Sequence, residues 1–429
     1  MKSQVAVTVY NDDLALVRES RELELKKGEQ NYAFSGVAAK IDPTSVHFRA
    51  ISDPAAINLL EQNFEYDLVG TERLLQKYID EEIIATTEGG AVFAGKLLSA
   101  LGGDVVLKDQ EGRVQAVKAS ALHSIQFPAL PEGLFTRPTL IWRLQCNKAG
   151  KHQAEISYLT GGLSWHAEYV AVTNEKDSGL ELSGWVSMAN NSGATYEEAT
   201  LKLVAGDVHR AETPRPVRAM FKAEMAMAAA PQFEEKEFFE YHLYTLQRPA
   251  TLKDRQTKQL SLFPAAQVPV QKLYIYDAMQ DDKKIQVKLQ FRNDKEHGLG
   301  MALPKGKIRV YKRDRDGAQE FIGEDLINHT PKDEVLRVLL GNAFDIVGER
   351  IVKDVRDISD KARQETVFIQ IRNHKEEAIE VTVLERFYGD WQLTGKAPHF
   401  IKKDAYTAEF PLQVPARGEA SFTYTVLYK

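Results

Sequence analysis

The amino-acid sequence predicts an all-β, multi-domain protein: a small barrel joined to several β-sandwich modules, with few helices. Three observations predict it. Apolar and polar residues alternate with a period of two through most of the 429 residues, the spacing that turns one face of a strand towards a core. Turn pairs such as Gly89-Gly90, Gly102-Gly103 and Glu111-Gly112 punctuate the alternation at short intervals. Helical spacing is confined to residues 71–79, with a further turn or two conceivable in the Ala/Met stretch near residue 225.

In the first 65 residues, Val5, Val7 and Val9 alternate, Asn11-Asp12-Asp13 turns, and Leu14 and Leu16 continue, which reads as a hairpin. Leu23 and Leu25 follow, Lys27-Gly28 makes a second turn, and Tyr32-Ala33-Phe34 returns. Residues 1–65 therefore read as an N-terminal β domain.

Residues 66–135 read as a small barrel with a leading helix. Leu74, Leu75, Tyr78 and Ile79 fall on one helical face, with Thr71 placed to cap it. Five short strands follow at 82–88, 91–100, 104–110, 114–120 and 124–128. A helix and five short strands resemble the Sm-like, SH3-type barrel. Such barrels often bind RNA, but acidic residues outnumber basic ones here, and nothing matches the positions that contact RNA in Sm proteins.

Residues 136–350 form the predicted central β domain. Three alternating runs end in asparagine: Trp185 to Asn190, Val287 to Asn293 and Val367 to Asn373. Asparagine tolerates left-handed backbone and bonds to nearby backbone, which suits a strand-to-turn exit. Asp314-Arg315-Asp316-Gly317 lacks the spacing of a calcium loop and reads as a hairpin turn. Residues 211–240, with Pro214, Pro216, three methionines and an acidic-aromatic tract, interrupt the pattern as an irregular connection. Residues 351–429 alternate again and read as a C-terminal immunoglobulin-like sandwich.

Composition narrows the function classes. The net charge is −6 and no basic run is present, so the counterion release that drives nucleic-acid binding has no source. The single cysteine, Cys146, excludes an intramolecular disulfide and an all-cysteine metal site. It sits in an alternating stretch and reads as a small buried strand residue. Neither a signal peptide nor a membrane-spanning run appears at the start, which leaves a cytoplasmic protein or one whose signal has been removed. GxSxG, the complete phosphate-loop signature GxxxxGK followed by Ser or Thr, and HExxH are all missing. No cofactor and no catalytic or metal-ligating residue is predicted.

The stretch Ser157-Tyr158-Leu159-Thr160-Gly161-Gly162-Leu163-Ser164-Trp165-His166-Ala167-Glu168-Tyr169 resembles the hallmark of the family called domain of unknown function 4139, the mucoidy-inhibitor-like proteins. So do Asn190 to Tyr196, Leu201 to Val208, Leu303 to Tyr311 and His329 to Glu334. The resemblance covers about residues 150–429, and the Val7-Thr8-Val9-Tyr10 hairpin is similar to the module that often precedes it. It implies an all-β architecture and an exported bacterial or archaeal protein, but supplies no catalytic residue or ligand. Longer relatives carry a coiled coil where this chain has its small barrel.

One surface patch remains as a candidate ligand site: Trp165, His166 and Tyr169, with Asp207 and His209 two residues apart on a neighbouring run. Period two places Trp165 and Tyr169 on one strand face and His166 on the other, so a structural role competes with a ligand-binding one. The expectation is a non-catalytic structural or binding protein of the cell envelope. Its protein partner, or its own second copy, would meet sandwich edges and the 211–240 loop. The alternative is a hydrolase of unfamiliar design with a site near Trp165, His166 and Asp207. Assembly into rings through the barrel is a third possibility.

Overall fold

A computed structural model describes residues 4–66, 70–129, 131, 134–206, 208, 233–238, 241–359, 362–396 and 398–429. The protein is all-β: 65% of it lies in strands, and among the described residues there is one short α-helix. The chain forms two compact units, and both are discontinuous in sequence.

The first unit holds residues 1–164, 189–202 and 249–257. Strands Gln4–Tyr10 and Ala15–Leu25 form the expected hairpin, with Val9 opposite Ala15. Ala15–Leu25 then pairs with Gly150–Thr160, which also pairs with His47–Ala50. A second, three-stranded sheet places Thr139–Cys146 between Gly28–Ser35 and Ile57–Glu65. Lys27-Gly28 thus does not close a hairpin; with Gly28 at φ 104°, it passes the chain from one sheet to the other. The two sheets face each other through Trp142, which is fully buried with its ring centroid 4.9 Å from Phe34 and 5.1 Å from Phe48. Residues 1–65 are therefore completed by strands from 139–160.

Within this unit, residues 70–129 build the small module. Its five strands run in the order Leu122–Gln126, Glu82–Thr87, Val92–Ser99, Asp104–Lys108, Val114–Lys118. The sheet stays open and does not close into the expected barrel. Its two edge strands have five residues each and follow one another through the 3-10 turn Ala119–Ala121, yet no ladder joins them. Helix Thr71–Lys77 covers the face instead, packing Leu75 and Tyr78 on Ile83, Leu97 and Leu107. The N-cap is Gly70, with no side-chain cap, so Thr71 begins the helix instead of capping it.

The second unit holds residues 165–188, 203–248 and 258–429. A five-stranded sheet runs Gln256–Pro269, Gly179–Asn190, Leu163–Thr173, Gly306–Arg313, Gln319–Ile327. Leu163–Thr173 and Gly306–Arg313 are parallel neighbours. Gly317 at φ 88° closes the hairpin after Gly306–Arg313, as the Asp-Gly pair predicts. A nine-stranded sheet contains Gln271–Tyr276, Lys284–Arg292 and the strands after residue 335. Its core includes Tyr276, Ile369, Val381, Phe410 and Tyr424, all at most 1% exposed. The domain boundary expected at residue 350 falls inside one continuous strand, Val335–Ser359. Much of the 211–240 connection lies outside the described residues, but Phe233–Phe238 is a strand paired with Tyr241–Leu246.

Candidate functional site: a two-lysine cleft

Strands Leu163–Thr173 and Gly179–Asn190 are joined by a tight turn. The Asn174 side chain accepts from Ser178 N and donates to Ser178 Oγ, and the Asp177 N–H bonds to Asn174 O. This pins Asp177 at φ 53°, a left-handed conformation that aspartate tolerates. The carboxylate takes Lys272 Nζ on one oxygen and Lys312 Nζ on the other, each at 2.6 Å. Lys272 comes from Gln271–Tyr276 and Lys312 from Gly306–Arg313.

These three side chains line a cavity of about 310 Å³. Its other walls include Tyr274, Leu289, Ile322 and Lys375, with Phe344 96% exposed. The Lys272 and Lys375 ammonium groups lie 5.7 and 5.9 Å from the Tyr274 ring centre, within cation–π reach. Burial pushes the Asp177 carboxyl up, but the hydrogen bonds and charges of Lys272 and Lys312 outweigh it and hold it below the usual carboxylate range. Burial pulls the Lys272 ammonium down, while the Asp177 hydrogen bond leaves it raised overall. Both groups are therefore charged at neutral pH. One carboxylate shared by two ammonium groups leaves a net positive charge that a second anion can use. Among the described residues no histidine, cysteine or serine lines the cavity.

The residues singled out from sequence go elsewhere. Trp165 and Tyr169 share a face, and that face is the core: they are 1% and 0% exposed. Tyr169 Oη donates to Pro304 O at 2.7 Å, and Trp165 Nε1 donates to Val204 O at 3.3 Å. His166 lies on the opposite, outer face, its ring 3.1 Å from Glu168 Oε1. The three therefore do not assemble into one surface patch. Asp207 and His209 lie outside the described residues. Among the described residues no group of three His, Cys, Asp or Glu side chains is placed to hold a metal. Asp325, close to His329 in sequence, accepts the backbone N–H groups of Leu326 and Leu339.

Much of the family-like sequence serves packing. In the first unit Gly162 N donates to Asp13 Oδ1 at 2.7 Å, and Asn191 N donates to Gly162 O at 2.6 Å. A Cβ on Gly162 would lie 2.5 Å from Asn191 O, and φ is +80°, so only glycine fits. The Ser192 hydroxyl sits 2.8 Å from Asn190 Oδ1 and 3.0 Å from the Tyr196 hydroxyl, all buried. Cys146 ends its strand buried, with Sγ 3.7 Å from His152 Nε2. Both residues are sealed from solvent, at 0% and 5% exposure, so the pair is core packing.

No helix among the described residues is long and apolar enough to cross a membrane. Comparison with known proteins finds no family model that matches the chain and no curated protein that matches it.

Proposed function

We infer that this is a non-catalytic binding protein of the cell envelope, and that its cleft at Asp177, Lys272 and Lys312 receives an acidic, partly apolar segment of a protein partner. One observation carries the reading: two ammonium groups share one carboxylate beside apolar walls and an almost fully exposed Phe344. Charge-assisted bonds fix a carboxylate, and an exposed aromatic at the rim supplies the apolar contact typical of interface anchors. The envelope location and the membership of the mucoidy-inhibitor-like family rest on the sequence resemblance. The description of residues 351–429 as immunoglobulin-like rests on the spacing of strands in the sequence.

The test is a fluorescence-polarisation titration with a labelled peptide of alternating Glu and Leu, and a Lys/Leu peptide as control. The Glu/Leu peptide is expected to bind, roughly tenfold more weakly after Lys272→Ala with Lys312→Ala, because each charge-assisted bond lost is about 1.5–3 kcal/mol before water replaces it. Asp177→Asn is expected to strengthen binding, since the internal competitor for both lysines loses its charge. Equal binding of the two peptides, or no response to these substitutions, would reject the site.

A further inference from the structure

At one end of the nine-stranded sheet, a row of cross-strand partners changes character along its length. Asp357 pairs with Arg363, Arg363 with Tyr428 and Tyr428 with Trp391, so these side chains share one face of the sheet. Trp391 and Tyr428 belong to the buried core, whereas Arg363 and Asp357 are exposed. Tyr388, in the loop after Ile379–Arg386, stacks on Tyr428 with 3.9 Å between ring centroids and 9° between planes. Tyr388 stays 55% exposed, so Tyr428 covers one face of its ring and leaves the other open. The loop is pinned on both sides, by Phe387 N donating to Tyr406 O at 2.7 Å and Lys429 N donating to Asp390 O at 2.8 Å.

Tyr388, Tyr428, Asp357, Arg363 and Lys429 border a cavity of about 290 Å³, at the small end of ligand pockets, which begin at about 300 Å³. An aromatic face carries partial negative charge and attracts weakly positive hydrogens, so an open, immobilised tyrosine ring suits the C–H face of a sugar. Sugar hydroxyls both donate and accept, and the cavity wall supplies both partners. The Asp357 carboxylate accepts. The Arg363 guanidinium, held through Nε by Glu365 Oε1 at 2.9 Å, donates from its remaining N–H groups. Asp357 repels an anionic ligand and Arg363 a cationic one, while neutral hydroxyls form charge-assisted bonds with either.

We propose that this cavity is a saccharide-binding site, which takes a neutral sugar ring on the open face of Tyr388 with its hydroxyls on Asp357 and Arg363. The inference is independent of the two-lysine cleft. Stacking on Tyr428 and the pinned loop hold the platform in place before the sugar arrives, so little ordering is needed on binding.

A glycan array of neutral, sialylated and sulphated oligosaccharides, probed with the fluorescently labelled full chain, tests this. Neutral glycans are expected to retain the protein. Tyr388→Ala should weaken retention roughly tenfold, for the loss of an aromatic face and the area it buries. Tyr388→Phe should keep retention within about twofold, because the ring face and not the hydroxyl makes the contact. Asp357→Asn should weaken it about fivefold, since a charged acceptor becomes a neutral one. Tyr406→Ala, at an exposed tyrosine outside the cavity wall, should change nothing. Unchanged circular dichroism would show that folding is intact, and the near-isosteric Asp357→Asn keeps the test decisive should Tyr388→Ala lose its fold. Failure of every neutral glycan to retain the protein, or retention that survives Asp357→Asn and Tyr388→Ala in full, would overturn the proposal. So would retention confined to sialylated or sulphated glycans. Binding of a polyproline peptide at Tyr388 with no glycan bound would assign the platform to a proline-rich partner and overturn it too.

Discussion

Asn373 and Asn293 both end an alternating strand of the second unit, both are followed by polar turn residues, and both are buried, at 1% and 0% exposure. Their work differs. Asn373 Oδ1 accepts from Lys375 N at 3.0 Å, and its Nδ2 donates to Glu377 O and Pro415 O at 2.8 and 2.9 Å. One amide thus closes the turn and ties it to the loop before the last strand. Asn293 donates to Pro331 O, but its Oδ1 has no hydrogen-bond partner among the described residues. The turn after it is closed one residue later, by Asp294, whose Oδ1 accepts from His297 N at 2.8 Å. A single-letter pattern therefore marks where a strand stops without saying which side chain performs the stop. Asn190, in the first unit, repeats the Asn373 arrangement: Ser192 N to Oδ1 at 3.1 Å and Nδ2 to Ala194 O at 2.9 Å, with Leu252 O and Lys253 O added.

Alanine substitution separates these roles by size. Asn190→Ala strands three carbonyls and one N–H and removes one of the Ser192 hydroxyl's two partners, and at about 1–3 kcal/mol per buried group left unsatisfied, partly relieved by water, a loss of about 4 kcal/mol is expected. Asn373→Ala strands two carbonyls and one N–H, for about 3 kcal/mol. Asn293→Ala strands one carbonyl while removing an already unsatisfied oxygen, so about 1 kcal/mol is expected. Urea unfolding followed separately by tryptophan fluorescence and far-ultraviolet circular dichroism measures all three. Equal losses at 293 and 373 would erase the distinction drawn here.

A smaller effect reports on Asp294 itself. Burial pushes its carboxyl up, but the His297 side chain and backbone N–H hydrogen bonds outweigh this and hold it below the usual carboxylate range. Its pKa is thus lower folded than unfolded. The stabilisation is present above the unfolded value of about 3.9 and is lost as pH falls through the folded value. Asp294→Asn should leave a protein whose melting temperature changes less between pH 5 and pH 3 than the parent's. An identical acid-range slope would argue that Asp294 does not carry the turn.

The strand pattern was legible because period two survives in almost every element, from Val5, Val7 and Val9 to Tyr424, Val426 and Tyr428. Local chemistry was legible too: the Asp316-Gly317 turn and the shared face of Trp165 and Tyr169 both follow from near neighbours. Partnership was not. Nothing around Lys27-Gly28 distinguishes a hairpin from a step between sheets, since that depends on Thr139–Cys146 more than a hundred residues later. The barrel expected after residue 70 failed for a related reason, because closure depends on how far the sheet curls and strand count alone does not set it. Of the two properties that suit asparagine to a strand exit, the side-chain bond to nearby backbone is the one used, at Asn190 and Asn373; none of the three has a positive φ. The cleft left no local signal at all. Asp177 lies 95 positions from Lys272 and 135 from Lys312; the parallel pairing of Leu163–Thr173 with Gly306–Arg313 brings in Lys312, and Val270 N donating to Ser178 O brings in Lys272.

Glu65 and Thr139 are cross-strand partners, though seventy-odd residues of chain run between them. Directly opposed residues sit about 5 Å apart, a gap that a hairpin loop of a few residues can bridge. The intervening module therefore hangs from a doorway no wider than a turn, and both flanking strands keep their register whatever passes through it. Such a port accepts exchange of cargo, whether a small sheet, a longer helical insert or a bare loop, without asking the sandwich behind it to readjust.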